Sequence, residues 1–270
     1  MRSYADKTVV ITGAGSGIGR ALALHLAGLG AHVAVSDLNQ QAATETATAC
    51  GGLAQAFTLD VADRDAVFAH ADEVRAAFGA VHLVVNNAGV ALHGPVSELT
   101  EPDMRWLMDI NYWGVVHGTQ AFLPHLAATG AGQLANVSSL FGLVAAPKQA
   151  AYNAAKFAVR GFTEALRLEL LMDRTPVAVS SIHPGGIKTA IARNARVTAS
   201  EDKAGTAQLF DRKLAHTSPE RAARTIVKGL SKDRPRILVG ADAYVVAALP
   251  RLLGVRYERV LARGARALDV

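Results

Sequence analysis

The chain predicts an α/β fold, a single domain with a doubly wound, seven-stranded parallel sheet flanked by helices. Three observations lead there. Short apolar runs recur along the chain, and each is followed by a longer segment with helical spacing of its apolar residues. A glycine-rich turn joins the first run to the first helix. Half of the 270 residues are hydrophobic and only 6% aromatic, which suits a buried sheet covered by Ala- and Leu-rich helices.

In order, Lys7–Ile11 reads as a buried strand, Thr12–Gly19 as the glycine turn and Arg20–Leu29 as a helix with Leu22, Leu26 and Leu29 on one side. A second strand, Ala31–Ser36, ends at Asp37, and a helix follows over Gln40–Cys50. Leu53–Leu59 is a strand running into Asp60-Val61, and Asp63–Phe78 a helix capped by Asp63. Val81–Val85 is a buried strand that runs into Asn86-Asn87-Ala88-Gly89, and two helices follow, Glu101–Ile110 and Asn111–Leu126, with Pro124 kinking or ending the second. Gln133–Val137 is a strand ending at Ser138-Ser139, and 150–171 a helix. Val177–Ile182, the turn His183-Pro184-Gly185-Gly186, a helix over Glu220–Leu230 and a strand over Arg236–Val239 complete residues 1–240. Residues 241–270 form a basic, amphipathic extension. No repeat or linker divides the chain.

Several function classes are excluded at this stage. Cys50 is the sole cysteine, so no internal disulfide or Cys-based zinc site is expected, and the scattered histidines suggest no metal site. No signal peptide is read at Met1–Asp6, and the longest apolar stretches, such as Ala243–Pro250, fall short of the roughly 18 residues of a membrane span. A cytoplasmic protein with neither stable membrane insertion nor a nucleic-acid partner is expected. The charge is uneven: from Arg212 onward there are 13 Lys and Arg against 5 Asp and Glu. That reads as a solvated helical end, or as a surface for an acidic partner, an anionic substrate or a membrane.

The turn and the strand ends carry chemistry. Gly13 allows a tight turn, while Gly17 and Gly19 let backbone N–H groups and a helix N-terminus approach a pyrophosphate. Asp37, closing the second strand, can accept hydrogen bonds from ribose hydroxyls and repel a 2′-phosphate, and its neighbours Ser16 and Leu38 are not basic. That favours NAD(H) over NADP(H). The plainer alternative is that Asp37 caps the next helix. Asn87 either lies along a bound ribose or ties neighbouring strands, and the two are compatible. Tyr152 and Lys156 are one helical turn apart, so an ammonium stands where it can draw a phenol's pKa down towards neutrality. Alone, such a pair is as readily an ordinary helix face.

Taken together, T-G-x-x-x-G-x-G at Thr12–Gly19, N-N-A-G at Asn86–Gly89, Asn111, Ser139 thirteen residues before Tyr152, Lys156, and P-G-x-x-x-T at Pro184–Thr189 resemble the short-chain dehydrogenase/reductase family over residues 7–240. The resemblance implies a Rossmann fold and hydride transfer between a secondary alcohol or its ketone and a nicotinamide cofactor. It makes Tyr152 the general acid and base, and Ser139 the hydrogen-bond donor to the substrate oxygen. Lys156 would bind the nicotinamide ribose and lower the Tyr152 pKa, and Asn111 would anchor a water relay. Gly13, Ser16, Gly17, Ile18 and Gly19 would cradle the pyrophosphate, with Asp60 and Val61 bracketing the adenine. Asn87, Ala88 and Gly89 would lie along the ribose, and Pro184, Gly185, Ile187 and Thr189 at the nicotinamide end. His183 is a departure at a variable position. A homodimer or homotetramer built on the helices of Asn111 and Tyr152 is also implied.

For the substrate, His93, Leu140, Phe141, Leu143 and Val144 fall in the segments expected to line the pocket, and their apolar character favours a hydrophobic secondary alcohol or ketone. A 3-oxoacyl thioester (ACP or CoA) reductase is the competing enzyme, and an NAD(H)-binding redox sensor the non-enzymatic alternative. Lys188–His216 is long and polar, as a mobile lid would be. In Tyr244–Ala267, apolar residues alternate with Arg251, Arg256, Arg259 and Arg263. Packing on the chain itself or on a partner subunit is expected there, ahead of contact with anionic lipid.

Overall fold

The first strand shows why the sheet forms. β1 (Thr8–Thr12) is buried at every position, with Val9 and Ile11 in one apolar cluster and Val10 in the other. A strand with apolar side chains on both faces is stable only between two layers of helices. The computed structural model describes residues 3–268, and Met1, Arg2, Asp269 and Val270, which the spans 1–240 and 241–270 take in, lie outside the described residues.

After β1 come α1 (Gly17–Ala27), β2 (His32–Asp37), α2 (Gln40–Ala49), β3 (Ala54–Thr58), α3 (Arg64–Phe78) and β4 (Leu83–Asn86). The chain continues through β5 (Leu92–His93), α4 (Glu101–Met108), α5 (Gly114–Ala128), β6 (Gly132–Val137), α6 (Ala150–Met172) and β7 (Val177–Pro184). It ends with β8 (Arg196–Val197), α7 (Lys203–Leu209), α8 (Pro219–Leu230), β9 (Arg236–Val239), α9 (Ala241–Leu253) and α10 (Tyr257–Leu268). Seven strands make one parallel sheet in the order β3-β2-β1-β4-β6-β7-β9. The doubly wound fold expected from the sequence is therefore present. On one face α1 and α8 pack together, with Leu22, Leu26, Ile226 and Leu230 against the sheet. On the other, α3, α5 and α6 contribute Val67, Val74, Phe122, Leu126, Leu166 and Leu170.

Several features were not read from the sequence. Strands β5 and β8 pair as a small second sheet, which ties the middle of Lys188–His216 to the segment after β4. That region also holds α7 and a five-residue π-turn, Phe210–Leu214. The helices expected at Glu101–Ile110 and Asn111–Leu126 are continuous, because a π-turn over Asp109–Trp113 joins α4 to α5. Pro124 lies inside α5, which runs on to Ala128. At the C-terminal end Ala243 is buried and residues 246–250 are half-buried, whereas Leu252, Leu253 and Val255 are exposed. Among the described residues no helix is long and apolar enough to cross a membrane.

A buried polar chain sets α6 on the sheet. Asn86 Nδ2 donates to Asn136 Oδ1 (2.9 Å), linking β4 to β6, and Asn136 Nδ2 donates to Thr163 Oγ1 on α6 (3.0 Å). Thr163 in turn donates to Val159 O (2.6 Å). Removing the middle member leaves buried donors and acceptors unpaired. Asn136→Ala is expected to lower the unfolding free energy by about 1–3 kcal/mol in urea titration; an unchanged midpoint would show that these bonds contribute nothing net.

Candidate active site

The parallel strands all end on the same edge, and the crossovers reverse between β1 and β4. In a sheet of this type, the crevice at such a switch point is where a ligand fits. Its floor is stitched by Thr12 and Asn87. Thr12 Oγ1 accepts from the N–H groups of Asn87 (3.0 Å) and Ala88 (3.1 Å), and Asn87 Nδ2 donates to Thr12 O (2.9 Å) and Gly13 O (3.2 Å). Asn87 thus ties the two strand ends together.

The first turn of α1 is open to an anion. Side chains cap α2 (Asn39), α3 (Asp63), α4 (Thr100), α7 (Asp202) and α8 (Ser218), but Ser16 makes no such bond to α1. The leading N–H groups of α1 are left without a side-chain acceptor, as a pyrophosphate site requires. Gly19 is fixed by close approach, since a Cβ there would stand 2.2 Å from Gly13 O. Gly17 takes φ +53° and faces Thr189, whose methyl carbon would lie 3.1 Å from an added Cβ. A cavity of about 550 Å³ runs along the outer side of this turn, lined in part by Gly17, Arg20, Lys188, Thr189, Arg193 and Arg224. It adjoins the crevice and includes neither Ser139 nor Tyr152.

Asp37 does not cap α2; Asn39 does, accepting from Ala42 N. The Asp37 carboxylate instead accepts from Gly15 N (2.9 Å) and Asn39 N (2.9 Å), which aims it across the glycine turn. Asp60 is exposed and accepts from Ala62 N. Val61 is buried against Gly114, and its carbonyl meets His117 Nδ1 at 3.2 Å. Ser16 is exposed, and Ile18 half-buried beside it. Pro184 and Ile187 are buried beneath the crevice edge, where Gly186 N donates to Asp242 Oδ2 at 2.7 Å. Asp242, which sequence reasoning missed, thus holds the Gly185–Gly186 turn from the start of α9.

Ser139, Tyr152, Lys156 and Asn111 come together between β6, α6 and the π-turn. Ser139 Oγ accepts from Phe141 N (3.1 Å), and its hydroxyl acts to lower the pKa of the Tyr152 phenol. Ser138 Oγ donates to the backbone at Lys156 O (2.8 Å). Lys156 is 3% exposed, and its Nζ donates to Val137 O (3.0 Å). Burial lowers the Lys156 pKa from 10.5 to about 8. Asn111 donates to Val90 O and accepts from Val90 N, both at 2.8 Å, which fixes the backbone beside Gly89. A Cβ on Gly89 would lie 3.1 Å from Asn111 Oδ1 and 3.4 Å from Lys156 Nζ, so the bare glycine leaves a narrow gap between them.

One expectation is reversed. Tyr152 has its pKa raised, because burial outweighs the opposing hydrogen bond from Ser139. Lys156 Nζ, 5.7 Å from the ring centroid, does not overcome that burial. In this state the phenol is a neutral acid. A second residue the sequence did not single out for a role is His183, whose Nδ1 lies 2.9 Å from Ser139 O and whose Nε2 lies 2.7 Å from Ser181 Oγ. A carbonyl only accepts, so Nδ1 carries the hydrogen and Ser181 donates to Nε2. Burial lowers the His183 pKa to about 4, and the ring stays neutral while it positions Ser139.

Of the residues expected to meet substrate, Phe141 is half-buried with its ring edge-on to Tyr152, centroids 6.4 Å apart. Leu140, Leu143 and Val144 are buried. His93 is corrected to an anchor: it is 5% exposed, with Nε2 at 3.2 Å from Glu201 and Nδ1 at 2.9 Å from the Gln149 amide. Glu201 also pairs with Lys148 (3.0 Å), so the cluster fastens the segment around β8 to the body.

A family model described as short chain dehydrogenase matches residues 7–200. The protein SadH of Mycobacterium tuberculosis is 54% identical over 267 residues, 98% of this chain and 97% of its own. A mouse protein named estradiol 17-beta-dehydrogenase 11 is 30% identical over 265 residues, 96% of this chain and 84% of its own. Among solved structures, a short chain dehydrogenase/reductase from Burkholderia phymatum in complex with NAD superposes with a TM-score of 0.88 at 30% identity, covering 93% of this chain and 95% of that one.

The Lys156 environment gives a signed prediction. A lysine whose folded pKa lies below its unfolded value destabilises the fold while charged, and the penalty is relieved as pH rises from about 8 towards 10.5. Lys156→Met is therefore expected to melt no lower than the parent at pH 7, with the difference shrinking above pH 8. A variant that is less stable at pH 7 by calorimetry would contradict this.

Proposed function

The chain belongs to the short chain dehydrogenase family, and on that premise we propose that it is an NAD(H)-dependent oxidoreductase interconverting a hydrophobic secondary alcohol and its ketone. The observation that carries the reading is the buried Lys156, its Nζ 5.7 Å from the Tyr152 ring, with the Ser139 hydroxyl acting on the phenol, at the edge where α1 presents its uncapped first turn. The glycine turn, Asp37, Asn87 to Gly89, Lys156 and the 184–189 turn would hold the dinucleotide, with Asp60 and Val61 at its adenine end. When bound, it supplies a hydride acceptor or donor.

The chain's own residues handle the proton and the positioning. Tyr152, a neutral phenol, gives its proton to the substrate oxygen in reduction and takes one back in oxidation. Ser139 holds that oxygen against the phenol, and His183 holds Ser139. Lys156 lies one helical turn behind Tyr152 and replaces the proton through a relay in which Asn111 fixes the Gly89–Val90 backbone. Phe141 supplies an apolar wall beside the phenol, in keeping with a hydrophobic substrate. The name of the mouse relative supports the same class.

Asp37 supports NAD over NADP, since a 2′-phosphate would meet its carboxylate while Leu38 beside it is 68% exposed and uncharged. Exposed Trp113, Phe157 and Leu168, on the π-turn and on α6, support a homodimer or homotetramer through those helices. No part of this reading requires a compartment other than the cytoplasm.

Turnover of hydrophobic secondary alcohols and ketones, with a 3-oxoacyl thioester in the same panel and NAD and NADP in parallel, tests the proposal. Activity with NAD on the alcohols, lost by at least ~100-fold in Tyr152→Phe, is the expected result. Preferential thioester reduction would transfer the assignment to the acyl reductase, and tight NADH binding with no turnover would favour the sensor. Asp37→Asn is expected to narrow the preference for NAD over NADP by about tenfold or more, read as the ratio of kcat/KM values.

A further inference from the structure

The C-terminal segment carries apolar side chains that the rest of the chain covers only in part. α9 is anchored where it begins, by buried Ala243 and by the bond from Gly186 N to Asp242, and it packs on the Leu140–Gly142 turn. Residues 246–250 are half-buried, and past them the side chains open to solvent, with Leu252 79% and Val255 80% exposed. Along α10, Tyr257, Val260, Leu261 and Ala265 recur on one helical face, with Val260 exposed and the other three half-buried. Arg259, Arg263 and Arg266 lie on the other with Glu258. Residues 251–266 hold five arginines against that single acid. Among the described residues Arg256, Arg259 and Arg263 form no ion pair.

Two occupants suit an apolar stripe of this kind, a second copy of the chain or a lipid surface. Charge decides between them. A second copy would bring its own five arginines to the contact, and Glu258 is the only carboxylate in the segment to answer them. Like charges brought together across an interface disfavour association. An anionic bilayer answers both halves of the segment. Its headgroups meet the guanidinium groups, and its acyl boundary accepts the exposed Leu and Val side chains.

We propose that residues 244–266 are an interfacial anchor that binds this protein reversibly to anionic lipid surfaces. At 12 residues, α10 is far too short to span a bilayer and lies in its surface. The anchor leaves the body next to the Leu140–Gly142 turn, so the bound surface adjoins the candidate site.

The test is co-sedimentation of the full chain with vesicles of phosphatidylcholine alone or mixed with phosphatidylglycerol, at low and high salt. The expected result is pelleting with the mixed vesicles only, reversed by salt. Each arginine near a charged membrane contributes about fivefold in partitioning, so R256Q/R259Q/R263Q should bind on the order of 100-fold more weakly. V255S/V260S should also lose binding. Both variants should keep the parent's mass by light scattering and its lipid-free turnover, which separates the anchor from the catalytic reading. Absence of pelleting, equal pelleting on neutral vesicles, or pelleting unaffected by the charge change would overturn the proposal. A fall in oligomer mass in either variant would assign the stripe to a second copy of the chain.

Discussion

A lysine amine held almost out of contact with water, with Val137 O as its hydrogen-bonding partner, sets the conditions for the rest of the site. Desolvation favours the neutral amine. The surroundings accept that cost because α6 cannot shift to relieve it: the Asn86–Asn136–Thr163 chain and the Ser138 bond to Lys156 O hold the helix to β4 and β6. The same rigidity places Tyr152 one turn away, against Ser139. Burial acts on both residues, lowering one pKa and raising the other, so the pair stands as an amine near its titration point beside a protonated phenol. A ligand that brings hydroxyl groups to Lys156 supplies the acceptors the pocket lacks.

Around this centre, the edge of the sheet is assembled from segments distant in sequence. Thr12 and Asn87 join the ends of β1 and β4. His183 reaches from β7 to the Ser139 carbonyl, and Asp242 reaches from α9 to the 185–186 turn. Each bond fixes backbone rather than touching the reacting groups. The His93–Glu201–Lys148 cluster does the same for the segment around β8, while α7 and the π-turn lie beyond.

The sheet and the nearness of Tyr152 to Lys156 were legible in the sequence for a local reason. Strand period, a glycine turn and a four-residue spacing on a helix are all written in adjacent residues. What was not legible depends on distant contacts or on burial. Two-residue strands such as β5 and β8 have no period to detect. One extra residue per turn at Asp109–Trp113 leaves composition unchanged, so the π-turn that carries Asn111 read as a break between helices. Asp242 acts 56 residues from its partner. The Tyr152 pKa was assigned the wrong sign because the spacing of Tyr and Lys shows the ammonium and not the desolvation. His93 looked like a pocket residue for the same reason: its position was visible, and its two partners were not.

The most direct test of this account is the titration of Lys156 itself, followed by NMR of the side-chain carbon next to Nζ in the chain without cofactor. The account predicts a midpoint near 8, and a rise once NADH is bound and its ribose hydroxyls satisfy the ammonium. A midpoint close to the ordinary lysine value of 10.5 in the free chain would mean that Lys156 is hydrated. In that event the buried pair on which the catalytic assignment rests would not exist.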